Sequence, residues 1–164
     1  MEDKNPVNAT PAKSITLEEL KAYAFRALAQ KQLSEHELRT RLKRRGATPE
    51  QSDQLIELLK GYGYLNDQEV ARTLARKRGV GRGYIQQKLY EKGVKASAKT
   101  LRDDETEEEE LQALIDRNLE KWQRDGEKGF RRAVGFLVRR GFEYGKVLTL
   151  LKASFQLDMS DLDG

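Results

Sequence analysis

Leu42-Lys43-Arg44-Arg45-Gly46-Ala47 is answered by Leu89-Tyr90-Glu91-Lys92-Gly93-Val94 and again by Leu137-Val138-Arg139-Arg140-Gly141-Phe142. The shared phrase is Leu, two variable residues, a base, Gly and an apolar residue. Its glycines lie 47 and 48 positions apart. A period of this size marks tandem supersecondary units, each too small to bury its own apolar face. Four residues before each Leu stands another apolar residue (Leu38, Ile85, Ala133), so every phrase closes an amphipathic helix. A base in the last turn followed by Gly predicts a helix C-terminus with a left-handed cap.

Working outward, helix starts are as legible as helix stops. Thr16-x-x-Glu19, Ser34-x-x-Glu37 and Thr48-x-x-Gln51 have the spacing of capping boxes, with Pro49 at the first helical position of the last. Asn66 precedes Asp67 and Glu69 in the same sense, and Thr106-x-x-Glu109 reads as a further start. These signals predict helices over 16–31, 34–45, 49–60, 67–78, 83–92, 97–103, 107–124, 128–140 and 143–155. No stretch alternates with period two, so no sheet is expected. The fold class is therefore all-α: three tandem three-helix, helix-turn-helix-like repeats in an elongated, curved array. The expected division is a disordered tail (1–13), repeat 1 (14–64), repeat 2 (65–103), repeat 3 with an acidic N-terminal connection (104–156) and an acidic tail (157–164). In the first repeat Leu17, Leu20, Ala24 and Leu28 form one apolar stripe, Leu38 and Leu42 a second, and Leu55, Leu58 and Leu59 a third. Val70, Leu74, Ile85, Leu89 and Leu101 take the same places in the second, and Leu111, Ile115, Leu119, Phe136, Leu137, Val147, Leu148 and Leu151 in the third.

Of 164 residues, 35% are charged and 37% hydrophobic, lean for one thick globule and suited to thin local cores. There is no cysteine, which removes disulfides, thiolate chemistry and Cys-based metal sites. No apolar run approaches the roughly 18 residues of a membrane span, and Met1–Lys13 lacks the apolar core of a signal peptide. A reducing, cytoplasmic setting is expected, with no membrane partner and a monomeric chain.

The net charge of +4 hides an asymmetry: Lys21–Arg102 holds 19 Lys and Arg against 8 Asp and Glu, a net of +11, and the remainder carries −7. A segregated basic surface attracts phosphate backbones or acidic proteins. Candidate contact residues are Arg39, Lys43 and Arg44 in the first repeat, Arg72, Arg76, Arg82 and Lys88 in the second, and Arg132 and Arg139 in the third. Any single one of them is accounted for by a solvated helix face; their concentration in equivalent places argues for a continuous basic surface. Gly79-Val80-Gly81-Arg82-Gly83 precedes a helix N-terminus but lacks phosphate-loop spacing and a preceding strand, so a flexible turn is expected. The run Asp103–Glu110 reads as a solvated linker and a charged helix start, because adjacent helical carboxylates fan out and do not converge. His36, the only histidine, reads as a surface residue. No Ser/His/Asp set, carboxylate pair or metal cluster emerges, so neither catalysis nor a cofactor is expected.

Gly61-Tyr62-Gly63-Tyr64-Leu65-Asn66-Asp67-Gln68-Glu69-Val70-Ala71 resembles the signature that joins the first two repeats of the RecX family. Ser34-x-x-Glu37-Leu38-x-x-x-Leu42, Ile85-x-x-x-Leu89-x-x-Lys92-Gly93-Val94 and Phe136-Leu137-Val138-Arg139-Arg140-Gly141-Phe142 resemble its three repeats in order, so the likeness covers about residues 17–155. The resemblance implies a bacterial cytoplasmic, non-enzymatic negative regulator of the RecA recombinase. Such a regulator lies in the groove of the RecA filament on single-stranded DNA and suppresses ATP hydrolysis, strand exchange and the coprotease activity of the SOS response. The acidic stretch before the third repeat and the Gly-rich loop depart from the family pattern. The rival from composition alone is a stand-alone nucleic-acid-binding helical repeat protein.

Overall fold

The computed structural model of the chain describes residues 14–162, with side chains as far as Gln156. The expected tail at 1–13 lies outside the described residues, as do Asp163 and Gly164. Among the described residues the elements are α1 (Leu17–Gln30), α2 (Glu35–Arg44), α3 (Pro49–Gly61), α4 (Asp67–Ala75), α5 (Arg82–Glu91), α6 (Ala98–Leu101), α7 (Asp104–Arg124), α8 (Gly126–Arg139) and α9 (Tyr144–Leu162), and no strand. The fold is all-α, as the periodicity predicts.

The capping residues act as their spacing demands. Thr16, Ser34 and Thr48 each accept from the backbone N–H three residues on, and Glu19, Glu37 and Gln51 reach back to close three full capping boxes. The Thr16 N–H and hydroxyl hold the exposed Glu19 carboxyl below its usual range. At the other ends the repeated phrase forms Schellman turns. Ala47 N–H donates to Leu42 O and Gly46 N–H to Lys43 O, both at 3.0 Å; Phe142 donates to Leu137 O at 3.2 Å and Gly141 to Val138 O at 2.9 Å. Gly46, Gly93 and Gly141 have φ of +95°, +67° and +97°, the left-handed region a side chain resists.

The described residues divide into two compact units. The first holds the chain up to Val70 together with Lys92–Val94; the second holds Ala71–Glu91 and the chain from Lys95 onward. The core of the first unit is Leu20, Ala24 and Ala27 of α1, Leu33, Leu38 and Leu42 around α2, Leu55, Ile56 and Leu59 of α3, and Leu65. That of the second centres on Leu111, Leu114, Ile115 and Trp122 of α7, Ala133 and Leu137 of α8, and Phe142, Val147, Leu151 and Phe155 in and before α9. The expected stripes supply most of both cores, but Leu17, Leu28, Leu58, Leu119, Phe136 and Leu148 are only partly buried, and Ala27, Leu33, Ile56, Leu65, Leu114 and Phe155 are among the buried additions.

Three helices differ from their expected spans by three residues or more. Helix α4 ends at Ala75 and not near 78, and the Ala75 and Lys77 carbonyls accept from the Arg102 guanidinium. Helix α7 opens at Asp104 and not near 107, because Asp103 and not Thr106 caps it, accepting from Thr106 N–H at 2.7 Å. Helix α9 runs to Leu162, past 155. No glycine or proline lies between Lys146 and Asp163 to stop it.

Candidate interaction surface

The basic residues singled out from sequence fall into two physical classes. On α2, Lys43 and Arg44 are exposed in the last turn. Arg39, one turn earlier, is tied to Asp53 of α3 at 2.6 Å, and the Arg45 guanidinium lies 4.2 Å from the Tyr23 ring centre. Arg72 on α4 and Arg76, just past the end of that helix, are exposed. With Arg78, Leu101, Asp103, Thr106 and Glu110 they line a groove in the second unit. Arg139 is exposed in the last turn of α8.

Arg132, Lys88 and Arg82 are, like Arg39, engaged within the chain. Arg132 pairs with Asp125, which holds the Asp125 carboxyl below its usual range. Lys88 lies 3.2 Å from Glu91, and that hydrogen bond raises its pKa. The Arg82 guanidinium donates to Arg102 O at 3.0 Å and to Asp104 Oδ1 at 2.8 Å, which lowers the Asp104 pKa. Arg82 is thus in part a structural residue, and its cationic end already faces a carboxylate.

The Gly-rich loop departs from the flexible turn expected of it. Gly79 N–H donates to Glu110 Oε2 at 3.2 Å and Arg82 N–H to Glu107 Oε2 at 2.7 Å. Gly81 and Gly83 donate to Arg140 O and Gly141 O, at 2.8 and 2.9 Å. Four donors that could have faced an anion are therefore satisfied, two by carboxylates of α7 and two by the carbonyls just past the end of α8. The glycines serve close approach: a Cβ on Gly81 would lie 2.5 Å from Gly141 O. The positive end of the α5 dipole meets the negative end of α8, a favourable head-to-tail arrangement.

In the first unit the corresponding phrase is used the same way. Ser34, at the N-terminus of α2, is wholly buried and donates its hydroxyl to Lys92 O at 2.5 Å. Gly93 lies so close to His36 that a Cβ there would come within 2.6 Å of the imidazole-bearing side chain. The repeated phrase therefore does more than end a helix. Its terminal carbonyls dock on the N-terminus of a second helix, Lys92 O at α2 and Arg140 O and Gly141 O at α5. His36 itself is exposed, as expected.

The residue that sequence reasoning did not single out is Arg102. Its side chain is 2% exposed, and its guanidinium donates to Ala75 O, Lys77 O and Val80 O and to Glu107 Oε1 at 2.9 Å. It organises the segment that carries Arg76, Lys77 and Arg78. The acidic run is correspondingly not a plain solvated linker. Glu107 and Glu110 turn inward because a buried guanidinium and unpaired backbone donors need acceptors. Its only signal in the sequence is a base directly before Asp103, which a helix-end charge explains equally well.

Comparison with known proteins places this geometry among relatives. A family model described as RecX, first three-helix domain, matches residues 21–59. The Regulatory protein RecX of Deinococcus radiodurans is 41% identical over 129 residues, 76% of this chain and 63% of that protein, so the chain spans less than two thirds of the length of that relative. The Regulatory protein RecX of Amycolatopsis mediterranei is 32% identical over 141 residues, 80% of this chain and 81% of that protein. In fold, the crystal structure of RecX from Lactobacillus salivarius superposes with a TM-score of 0.71, at 17% identity, over 84% of this chain and 96% of that one.

Proposed function

Because this chain belongs to the RecX family, we propose that it is a cytoplasmic negative regulator of the RecA recombinase. It binds in the groove of the RecA filament on single-stranded DNA and inhibits ATP hydrolysis, strand exchange and coprotease activity without chemistry of its own. The tandem-repeat division at residues 14–64, 65–103 and 104–156 is part of the same proposal, because a filament groove calls for a modular ligand. Among the described residues no helix is long and apolar enough to cross a membrane.

The observation that supports it is the set of exposed cations found in both units: Lys43 and Arg44 at the end of α2 in the first, and Arg72, Arg76 and Arg78 along the groove by α4 with Arg139 at the end of α8 in the second. Exposed guanidinium and ammonium groups suit the phosphates of a nucleoprotein. Arg39, Lys88 and Arg132 contribute after their surface partners yield, since exposed ion pairs are worth little. Arg82 acts mainly through the fold of the loop it anchors.

The test is RecA ATPase on single-stranded DNA with the chain titrated below stoichiometry. Inhibition is expected for the wild type and its loss for the triple variant Lys43→Glu, Arg72→Glu, Arg139→Glu at unchanged helicity. Undiminished inhibition by the triple variant would sink the residue assignment. No inhibition by the wild type, with salt-sensitive binding to bare DNA, would replace the reading with that of a stand-alone nucleic-acid-binding repeat protein.

A further inference from the structure

Tyr62 and Tyr64 are 55% and 57% exposed, yet they are held rigidly. They flank Gly63, whose φ is +82°, in the Schellman turn that ends α3: Gly63 N–H donates to Lys60 O at 3.0 Å and Tyr64 N–H to Leu59 O at 2.9 Å. The Tyr64 ring meets Phe25 of α1 edge-on at 5.7 Å, and Phe25 packs on the core of the first unit. Tyr62 meets Tyr64 at 5.9 Å with 65° between the rings. The result is a contiguous aromatic surface, preformed and more than half in water. Exposed apolar residues that stand alone need no explanation, but a buttressed pair on a rigid turn does. Tyrosine loses little rotamer freedom on binding and brings large contact area, which is why it recurs at interface hot spots.

Charge and ring geometry decide between a nucleic acid and a protein as the occupant. Successive bases of a single strand stack in parallel, so two rings at 65° do not serve neighbouring bases together. The base nearest in sequence, Lys60, lies 3.6 Å from both Glu35 and Glu57, so two carboxylates outweigh it there. Cations instead sit on other aromatic rings: Arg45 on Tyr23, Lys77 and Lys88 on Tyr84, and Arg140 on Phe136. The stretch Glu57–Glu69 that carries the two tyrosines holds Glu57, Asp67 and Glu69 against the single base Lys60, a net negative charge that disfavours a phosphate backbone.

We propose that Tyr62 and Tyr64 form a protein-docking patch that receives apolar side chains of a polypeptide partner, separate from the basic faces that meet phosphate. The inference rests on the reading above, in which that polypeptide is a protomer of the filament. It divides the surface by chemistry: tyrosines for protein, Lys43, Arg72 and their like for the nucleic acid.

The experiment measures binding of the full chain to the RecA filament on single-stranded DNA and, separately, to a bare thymidine oligonucleotide. The variants are the double substitutions Tyr62→Ser with Tyr64→Ser and Tyr62→Phe with Tyr64→Phe. The serine pair weakens filament binding about tenfold or more, the loss of a hot spot. The phenylalanine pair stays within about twofold, because aromatic area and not the hydroxyl carries the contact. Both leave oligonucleotide binding within about twofold of wild type. A serine pair that binds the filament as tightly as wild type overturns the proposal, and so does a parallel loss on the bare oligonucleotide, which would make the patch a base-stacking platform. A wild-type chain that does not bind the filament overturns the functional reading and this inference with it. Should the double serine variant lose helicity, Tyr62→Ser alone, which leaves Tyr64 on Phe25, repeats the comparison with an expected loss of about threefold.

Discussion

Replacing Arg102 with alanine tests whether the second unit is organised around a buried cation. A guanidinium has five N–H donors, and all five of Arg102 are used: Nε and one Nη2 hydrogen on Ala75 O at 3.1 and 3.0 Å, the other on Lys77 O at 2.5 Å, and Nη1 on Val80 O at 2.7 Å and Glu107 Oε1 at 2.9 Å. Alanine strips three carbonyls and a carboxylate of that partner, with Glu107 only 13% exposed. Removing one member of a buried ion pair costs about 3–5 kcal/mol. Water entering the space left behind re-satisfies some carbonyls, and Glu107 keeps the Arg82 N–H, so the expected loss is about 4 kcal/mol, a large share of a domain's typical total of roughly 5–15. Arg102→Lys keeps the charge but offers three donors in place of five, and about half the loss is expected. The assay is urea unfolding followed by fluorescence of Trp122, the only tryptophan, which is buried in the same unit. Its transition moves to lower urea in the order wild type, lysine, alanine. The control is Arg124→Ala, whose side chain is 70% exposed and whose pair with Glu120 contributes under about 1 kcal/mol. If Arg102→Ala unfolds like Arg124→Ala, the claim that this guanidinium holds the loop is wrong.

Three further outcomes follow from the same geometry. Gly141→Ala places a Cβ 2.3 Å from Tyr84 N at φ +97° and loses about 3 kcal/mol, whereas Gly63→Ala, at φ +82° with nothing within 4 Å, loses about 1; equal midpoints in urea would refute the docking of α8 on α5. Ser34→Ala removes both the cap to Glu37 N–H and the bond to Lys92 O, and lowers stability by about 2 kcal/mol; a change no larger than that of the exposed cap in Thr48→Ala would count against the long-range bond. For Glu37, burial raises the pKa, but the Ser34 N–H and Lys92 together hold it below the ordinary 4.5. A lowered folded-state value means that the unfolded chain binds the proton more readily. The contribution is therefore complete above about pH 5 and lost as pH falls through the folded value. Melting temperature should drop across that acid range in the wild type and drop less steeply in Glu37→Gln; parallel curves would remove Glu37 from the account.

Local chemistry was open to reading. Capping boxes join residues three apart, Schellman turns announce themselves by a Gly after a base, and core stripes repeat every three or four residues, so Thr16, Ser34, Thr48, Gly46 and Gly141 declared their roles from sequence alone. Lys43, Arg44, Arg72, Arg76 and Arg139 were legible as exposed cations for the same reason, since a helix with a known apolar stripe has a known outer face. What sequence could not show was which charges find each other across 20 or more residues. Arg82 looks like any surface base until Asp104 and the Arg102 carbonyl reach it, and Arg102 looks like a helix-end charge until three carbonyls of the 75–80 loop close around it. The acidic run misled for the converse reason: its composition is that of a solvated segment, and only the unpaired donors at Gly79, Arg82 and Arg102 turn two of its carboxylates inward. The chain's own order thus determined the helices, their ends, their apolar faces and the threefold recurrence. The tertiary structure alone decided which glycines serve backbone contact and which cations remain at the surface, because burial of a polar group is settled by partners that are distant in sequence.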